Sequence, residues 1–151
     1  MDITLRPATP DDFAYCARLY FAAMEPTIRA LELDVAKHTA GFRERWVAAE
    51  VRIITHDGVD VGWVQVAAEA DALFLKQLFV EAPLQRRGIG TRVMHRLMDE
   101  AARDGRAMTL GVVKTNPARR LYERLGFALT HEDERKFYMR RERDAALPMG
   151  G

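Results

Sequence analysis

One cysteine, four histidines and a formal net charge of +1 in 151 residues deprive several classes of protein of their raw material. The lone thiol, Cys16, excludes an internal disulfide and a cluster of thiolate metal ligands. It sits among apolar residues of an expected helix, which reads as a buried structural thiol and not a nucleophile. His38, His56, His95 and His131 share no spacing that would gather them on one helix face or turn, so no metal is expected. Lysine plus arginine total 23 against 22 for aspartate plus glutamate. No broad basic field results, and a nucleic-acid partner is not expected. No apolar run approaches the roughly 20 residues that cross a bilayer. The opening Met1-Asp2-Ile3-Thr4-Leu5-Arg6 also lacks the basic-then-apolar order of a signal peptide. The expectation is a cytoplasmic protein with no membrane association.

What is present is a chain of ordinary domain size, 48% hydrophobic, able to bury a substantial core. One domain is expected over residues 1–141, with residues 142–151 as a flexible C-terminal tail. Ile3 to Arg6 reads as a short strand. Thr9-Pro10-Asp11-Asp12 then supplies a cap, a proline at the first helical position and an acidic residue three after the cap. Phe13, Cys16, Ala17, Tyr20 and Met24 continue at helical spacing until Pro26, where the pattern predicts an interruption. A second helix is predicted from Asp34 as cap through Val35, His38, Phe42, Trp46 and Ala49. Val51–Thr55 and Val59–Val66 flank His56-Asp57-Gly58, a strong hairpin signal. Ala72 to Val80 is apolar enough for a central strand. Val93, Leu97 and Ala101 continue a helical period from Ile89 that Gly105 can end. Met108 to Val113 is a further strand, Ala118 to Leu125 a short helix closed by Gly126, and Phe127–Thr130 with Lys136–Arg140 a last pair of strands.

Between the strand ending at Val80 and the helix of Val93 lies Gln85-Arg86-Arg87-Gly88-Ile89-Gly90-Thr91. It is not a dinucleotide fingerprint, because Val93 stands where the third glycine belongs, and it is not a nucleotide-hydrolase loop, because the chain has no Gly-Lys pair. Backbone N–H groups at the positive end of a helix dipole suit an anionic diphosphate. On its own the segment reads equally as a phosphate cradle or as a plain turn that starts a helix.

Two segments together resemble the GCN5-related N-acetyltransferases. Leu78-Phe79-Val80 followed by Gln85 to Thr91 is similar to the family's Gln/Arg-x-x-Gly-x-Gly/Ala motif after its fourth strand. Asn116-Pro117-Ala118-Arg119-Arg120-Leu121-Tyr122-Glu123-Arg124-Leu125-Gly126-Phe127 resembles its second cofactor-side segment. The resemblance implies an α/β (α+β) fold: a mixed, mostly antiparallel sheet of six to seven strands flanked by about four helices, with splayed fourth and fifth strands. It implies acetyl-coenzyme A as co-substrate, with Arg86, Arg87, Gly88, Ile89, Gly90 and Thr91 at its diphosphate beside Gln85. The backbone of Leu78, Phe79 and Val80 pairs with the pantetheine arm, and Asn116 stands near that arm. It further implies direct acetyl transfer to a primary amine, small molecule or peptide, with a homodimer as a possible assembly.

The attacking amine must be neutral, although an unperturbed alkyl ammonium has a pKa of about 10.4. By the resemblance, an amide near Phe79 faces the thioester oxygen and the Tyr122 hydroxyl faces the sulfur. Two departures stand out. The family commonly places its asparagine seven residues before the tyrosine, whereas Asn116 is six before Tyr122. Where some members carry a glutamate on the fourth strand this chain has Phe74, which takes no proton, so the base would come from elsewhere or from a water relay. Glu25, Glu69, Glu81 and Glu134 qualify by chemical type alone. A catalytically silent sensor or interaction module of the same fold is the rival reading.

Overall fold

Seven strands hydrogen-bond in the order β1-β2-β3-β4-β5-β7-β6: β1 Ile3–Pro7, β2 Val51–His56, β3 Val59–Glu69, β4 Ala72–Val80, β5 Ala107–Val113, β6 Ala128–Glu132 and β7 Lys136–Arg141. With them run four helices, α1 Phe13–Ala30, α2 Val35–Arg45, α3 Ile89–Arg103 and α4 Arg119–Arg124. These come from a computed structural model that describes residues 2–144; the tail expected over residues 142–151 lies, from residue 145 on, outside the described residues. The pairs β1–β2, β2–β3, β5–β7 and β6–β7 are antiparallel and β4–β5 is parallel. This is the mixed, mostly antiparallel architecture expected. By backbone proximity the chain divides into two compact units, the chain up to Gln65 with Gln77–Val93, and Val66–Lys76 with the chain from Met94 on.

In the first unit the core is Cys16, Leu19 and Tyr20 of α1, Phe42 of α2, and Val51, Ile53 and Trp63 of the sheet, with Phe79 packed against it. Tyr20 stacks on Phe42 at 4.4 Å between centroids, and Trp63 meets Phe79 at 5.4 Å. Such aromatic pairs contribute beyond the area they bury. The entry to α1 follows the sequence pattern. Pro10–Asp12 forms a single 3-10 turn, and the Asp12 carboxylate accepts from the Thr9 N–H at 2.9 Å and from Arg6 at 2.9 and 3.1 Å. Asp34 caps α2 by accepting from the Lys37 N–H at 3.1 Å. The β2–β3 hairpin pairs His56 with Val59, and the two turn residues, Asp57 and Gly58, have φ of 52° and 82°. Both positive values match the twist of the flanking strands.

Pro26 does not interrupt the helix as the pattern predicts: α1 runs through it to Ala30. A proline here removes the hydrogen bond to the carbonyl of Ala22, and both residues lie on the exposed side of the helix, where solvent can reach that carbonyl. The second helix stops at Arg45 because Trp46 turns to extended backbone with ψ of 115°, leaving Ala49 in a separate 3-10 turn.

In the second unit the parallel register pairs Ala72–Leu75 of β4 with Ala107–Leu110 of β5, and it stops at Leu75. β5 pairs with β7 over six residues, Met108–Val113. Met94, Leu97, Met98 and Ala101 make the buried stripe of α3 in this unit. β6 begins at Ala128, one residue later than expected, and every residue of it is exposed at the sheet edge.

The Arg6 guanidinium holds Asp12 below the ordinary carboxylate range. A folded pKa below the unfolded value of about 3.9 gives stability that is present above that value and lost as pH falls through the folded one. Asp12→Asn should therefore lower stability by ~1 kcal/mol at pH 7. Thermal melts of the two proteins should converge as the pH is taken below about 4.

Candidate functional site

The end of β4 and the chain that follows form a cleft of about 240 Å³ lined by Leu78, Phe79, Val80, Leu84, Gln85, Arg86, Ile89 and Gly90. All lie in the first unit. Its walls are mainly apolar side chains and main chain. After β4 the chain makes one 3-10 turn, Ala82–Leu84, and then reverses through two residues of positive φ, Arg86 at 65° and Gly88 at 83°. Glycine adopts this conformation freely, whereas an arginine in it is uncommon. The Gln85 side chain donates to the Val80 carbonyl at 3.0 Å, tying the loop to the strand end.

α3 starts at Ile89, so Gly90 and Thr91 belong to its first turn and not to the preceding loop. The Arg92 N–H donates to the Gly88 carbonyl at 3.0 Å. The N–H groups of Ile89, Gly90 and Thr91 precede that bond and have no acceptor within the helix. They point out of its positive end. A Cβ placed on Gly90 would meet nothing within 4 Å, so this face of the first turn is open. Arg87 and Gly88 are exposed beside the cleft without lining it.

Asn116 and Tyr122 belong to the second unit. The Asn116 side-chain oxygen accepts from the Ala118 N–H at 2.9 Å, an Asx turn leading into α4. With Pro117, Arg119, Arg120 and Glu123 it lines an open depression of about 470 Å³. Arg119 stacks over the Phe137 ring at 4.2 Å. The Tyr122 ring meets Phe127 edge-on at 5.9 Å, and burial raises its phenol above the ordinary value of 10. The hydroxyl therefore stays protonated through neutral pH.

Sequence reasoning passed over the surroundings of Glu81, the residue that follows β4. One carboxylate oxygen accepts from the Tyr15 hydroxyl at 2.9 Å and from Arg18 at 3.0 Å, and the Glu81 N–H donates to the Val61 carbonyl at 2.9 Å. Burial, and then the Glu81 hydrogen bond, push the Tyr15 phenol upward. Residues 66 positions apart carry no local signal of such a pair. Leu84 was also passed over; its sign was an apolar residue directly ahead of Gln85. The other glutamate candidates differ in setting: Glu25 pairs with Arg29 on the surface of α1, and Glu69 and Glu134 are exposed. Tyr20 and Phe42 pack in the core and Trp46 against it, with Phe42 only 2% exposed, as their helical spacing suggests. Among the described residues no group of three or more His, Cys, Asp or Glu is gathered that would hold a metal ion, and no helix is long and apolar enough to cross a membrane.

The class of this fold comes from comparison with known proteins. The chain belongs to the GCN5-related N-acetyltransferase (GNAT) family: the family model described as Acetyltransferase (GNAT) domain matches residues 44–129, more than half of the chain. No sequence among the curated proteins matches it. Among solved structures, the PaiA N-acetyltransferase from Thermoplasma acidophilum in complex with coenzyme A superposes with a TM-score of 0.76 at 15% identity, covering 94% of this chain and 99% of that one. The ribosomal-protein-S18-alanine N-acetyltransferase from Escherichia coli gives 0.66 at 21% identity and 96% of both chains. N-acetylglutamate synthase from Neisseria gonorrhoeae, complexed with coenzyme A and N-acetyl-glutamate, gives 0.66 at 20% identity over 94% of this chain but 35% of that chain. At these identities the likeness is one of fold.

Cys16 is fully buried, and burial pushes its thiol up to about 12. The native protein should leave a thiol reagent such as DTNB unreacted at pH 8 and release one equivalent of chromophore only in denaturant. Rapid labelling of the native chain would contradict the placement of Cys16 in the α1 core.

Proposed function

We propose that the chain is an acetyl-coenzyme A-dependent N-acetyltransferase acting as one domain over residues 1–141, and that it transfers the acetyl group directly to a primary amine of a small molecule or peptide. The observation that carries this reading is the cleft at the end of β4, which opens beside three helix N-terminal amides. Its apolar lining from Leu78, Phe79, Val80 and Ile89 suits a pantetheine arm. The amides of Ile89, Gly90 and Thr91 and the charges of Arg86 and Arg87 suit a diphosphate. Gly90 leaves unfilled the space that a side chain would take from that group. Acetyl-coenzyme A, when bound, supplies an acetyl group activated as a thioester.

Chemistry at such a site needs three things from the protein. A backbone N–H of the Leu78–Val80 segment meets the negative charge that develops on the thioester oxygen. The amine must lose a proton, and Glu81 is the candidate carboxylate with a fixed setting at the strand end. Tyr122 donates a hydrogen bond to the departing sulfur. A coenzyme A thiol has a pKa of about 8.5 and a raised phenol lies above 10, so full proton transfer from Tyr122 is uphill and the hydrogen bond is the larger contribution. The Asn116 oxygen serves the Asx turn, which leaves its amide N–H groups for the pantetheine arm.

Titration calorimetry with acetyl-coenzyme A tests the donor, and thiol release across a panel of amines tests transfer. Binding without release from any amine would favour the silent sensor module, and no binding at micromolar concentration would remove the reading. Tyr122→Phe should lower kcat roughly 10- to 100-fold while leaving acetyl-coenzyme A affinity within about twofold; unchanged turnover would take Tyr122 out of the mechanism. Gly90→Leu should do the opposite, weakening acetyl-coenzyme A at least about tenfold while keeping the melting temperature, because its side chain enters open space and not the core.

A further inference from the structure

The loop between β4 and α3 carries two arginines that no described residue engages. Every other arginine of the first unit has a partner. Arg6 pairs with Asp12 and Asp60, Arg18 with Glu81 and Arg29 with Glu25; Arg43 stacks over the Phe13 ring, Arg45 lies against the Tyr20 phenol, and Arg52 and Arg92 are engaged as well. Arg86 and Arg87 are exposed and, among the described residues, have no ion pair, hydrogen bond or ring contact. Glu81, the carboxylate nearest to them in sequence, is already taken by Tyr15 and Arg18. Of the two arginines only Arg86 lines the cleft. Its backbone stands at φ of 65°, a left-handed conformation that costs a residue with a side chain more than it costs glycine. At Asp57 the same conformation serves the β2–β3 hairpin, whereas at Arg86 no contact of the guanidinium within the described chain offsets the cost.

We propose that Arg86 is a specificity-determining residue that takes the 3′-phosphate of acetyl-coenzyme A, so that this chain selects the phosphorylated coenzyme over its 3′-dephospho form. The inference rests on the acetyltransferase reading above and deepens it. It moves Arg86 from the diphosphate, which the main chain can serve, to the second anion of the same molecule. Coenzyme A carries two separate anions on one nucleotide: the diphosphate, and a phosphate monoester on the ribose joined to it. For the first, the loop offers the amides of Ile89, Gly90 and Thr91 at the positive end of α3, with open space at Gly90. Those donors are fixed in place and serve one group. The monoester concentrates about −1.5 to −2 charges and three acceptor oxygens on one phosphorus near neutral pH. A guanidinium suits it best, because its planar fork gives two parallel N–H···O bonds. A long side chain without a protein partner, on the cleft wall just ahead of the amides, supplies that fork where the main chain does not reach. Arg87 lies beside the cleft and adds positive charge that favours either anion.

Titration calorimetry at one fixed ionic strength, with acetyl-coenzyme A and 3′-dephospho-acetyl-coenzyme A as the two probes, tests the assignment in the native chain, Arg86→Gly and Arg87→Ala. The native chain is expected to bind the first probe at least about tenfold more tightly than the second. Arg86→Gly should bring the two affinities within about twofold of each other by weakening acetyl-coenzyme A alone. Without ligand it should melt no lower than the native chain, because glycine accepts a φ of 65° freely. Arg87→Ala should weaken both probes by a similar factor and keep the preference. Equal affinities in the native chain would overturn the proposal. So would a parallel loss of both probes in Arg86→Gly, which would put Arg86 at the diphosphate, or a preference that disappears in Arg87→Ala and survives in Arg86→Gly. Should Arg86→Gly fail to fold, Arg86→Gln, which keeps a long neutral side chain, carries the same expectation for the two probes. Absence of acetyl-coenzyme A binding to the native chain would instead defeat the acetyltransferase reading on which the proposal rests.

Discussion

A buried strand must satisfy its backbone along its whole length, and β4 meets that demand in different ways at its two ends. At Ala72–Leu75 the answer is regular, a parallel register with β5. At Phe79–Glu81 it is piecemeal: a side-chain amide serves the Val80 carbonyl, and the carbonyl of Val61 takes the Glu81 N–H. Directly after β4 ends come the reversal through Arg86 and Gly88 and the first turn of α3, whose leading amides have no acceptor within the helix.

The aromatic core of the first unit supplies the rigidity this arrangement needs. Phe79 is held between Trp63 at 5.4 Å and Tyr20 at 5.5 Å, so the side chain near the strand end is itself clamped. Tyr20 in turn stacks on Phe42, and its hydroxyl shares a hydrogen bond of 2.8 Å with His38. Precision at the strand end is thus inherited from packing between α1, α2 and the sheet and does not require a ligand to create it.

Much of this was legible in the sequence because it is local. Asp57-Gly58 between two β-rich runs, Asp34 ahead of an apolar period, and the spacing of Ile89, Val93, Leu97 and Ala101 each act within a few residues, and the elements they signal are present. The cleft draws on two short contiguous stretches, Leu78–Val80 and the segment from Leu84 to Gly90, so a local pattern can single out that part of the chain. Pro26 was misread because a breaker rule ignores which side of the helix the lost hydrogen bond faces. The Tyr15–Glu81 contact and the approach of Gly62 to Phe79 were not legible at all. Both are set by the register of β3 and β4 and by the seat of α1 on the sheet, which no local pattern encodes.

The two units divide the fold but not the chain. Each is assembled from two separate stretches of sequence, and β3, β4 and α3 each begin in one unit and end in the other. No cut in the polypeptide yields either unit intact. A fragment ending at Val93 would keep the cleft-lining residues but lose most of α3, the helix whose first turn supplies the amides. The unit boundary is therefore no place for truncation, domain exchange or insertion.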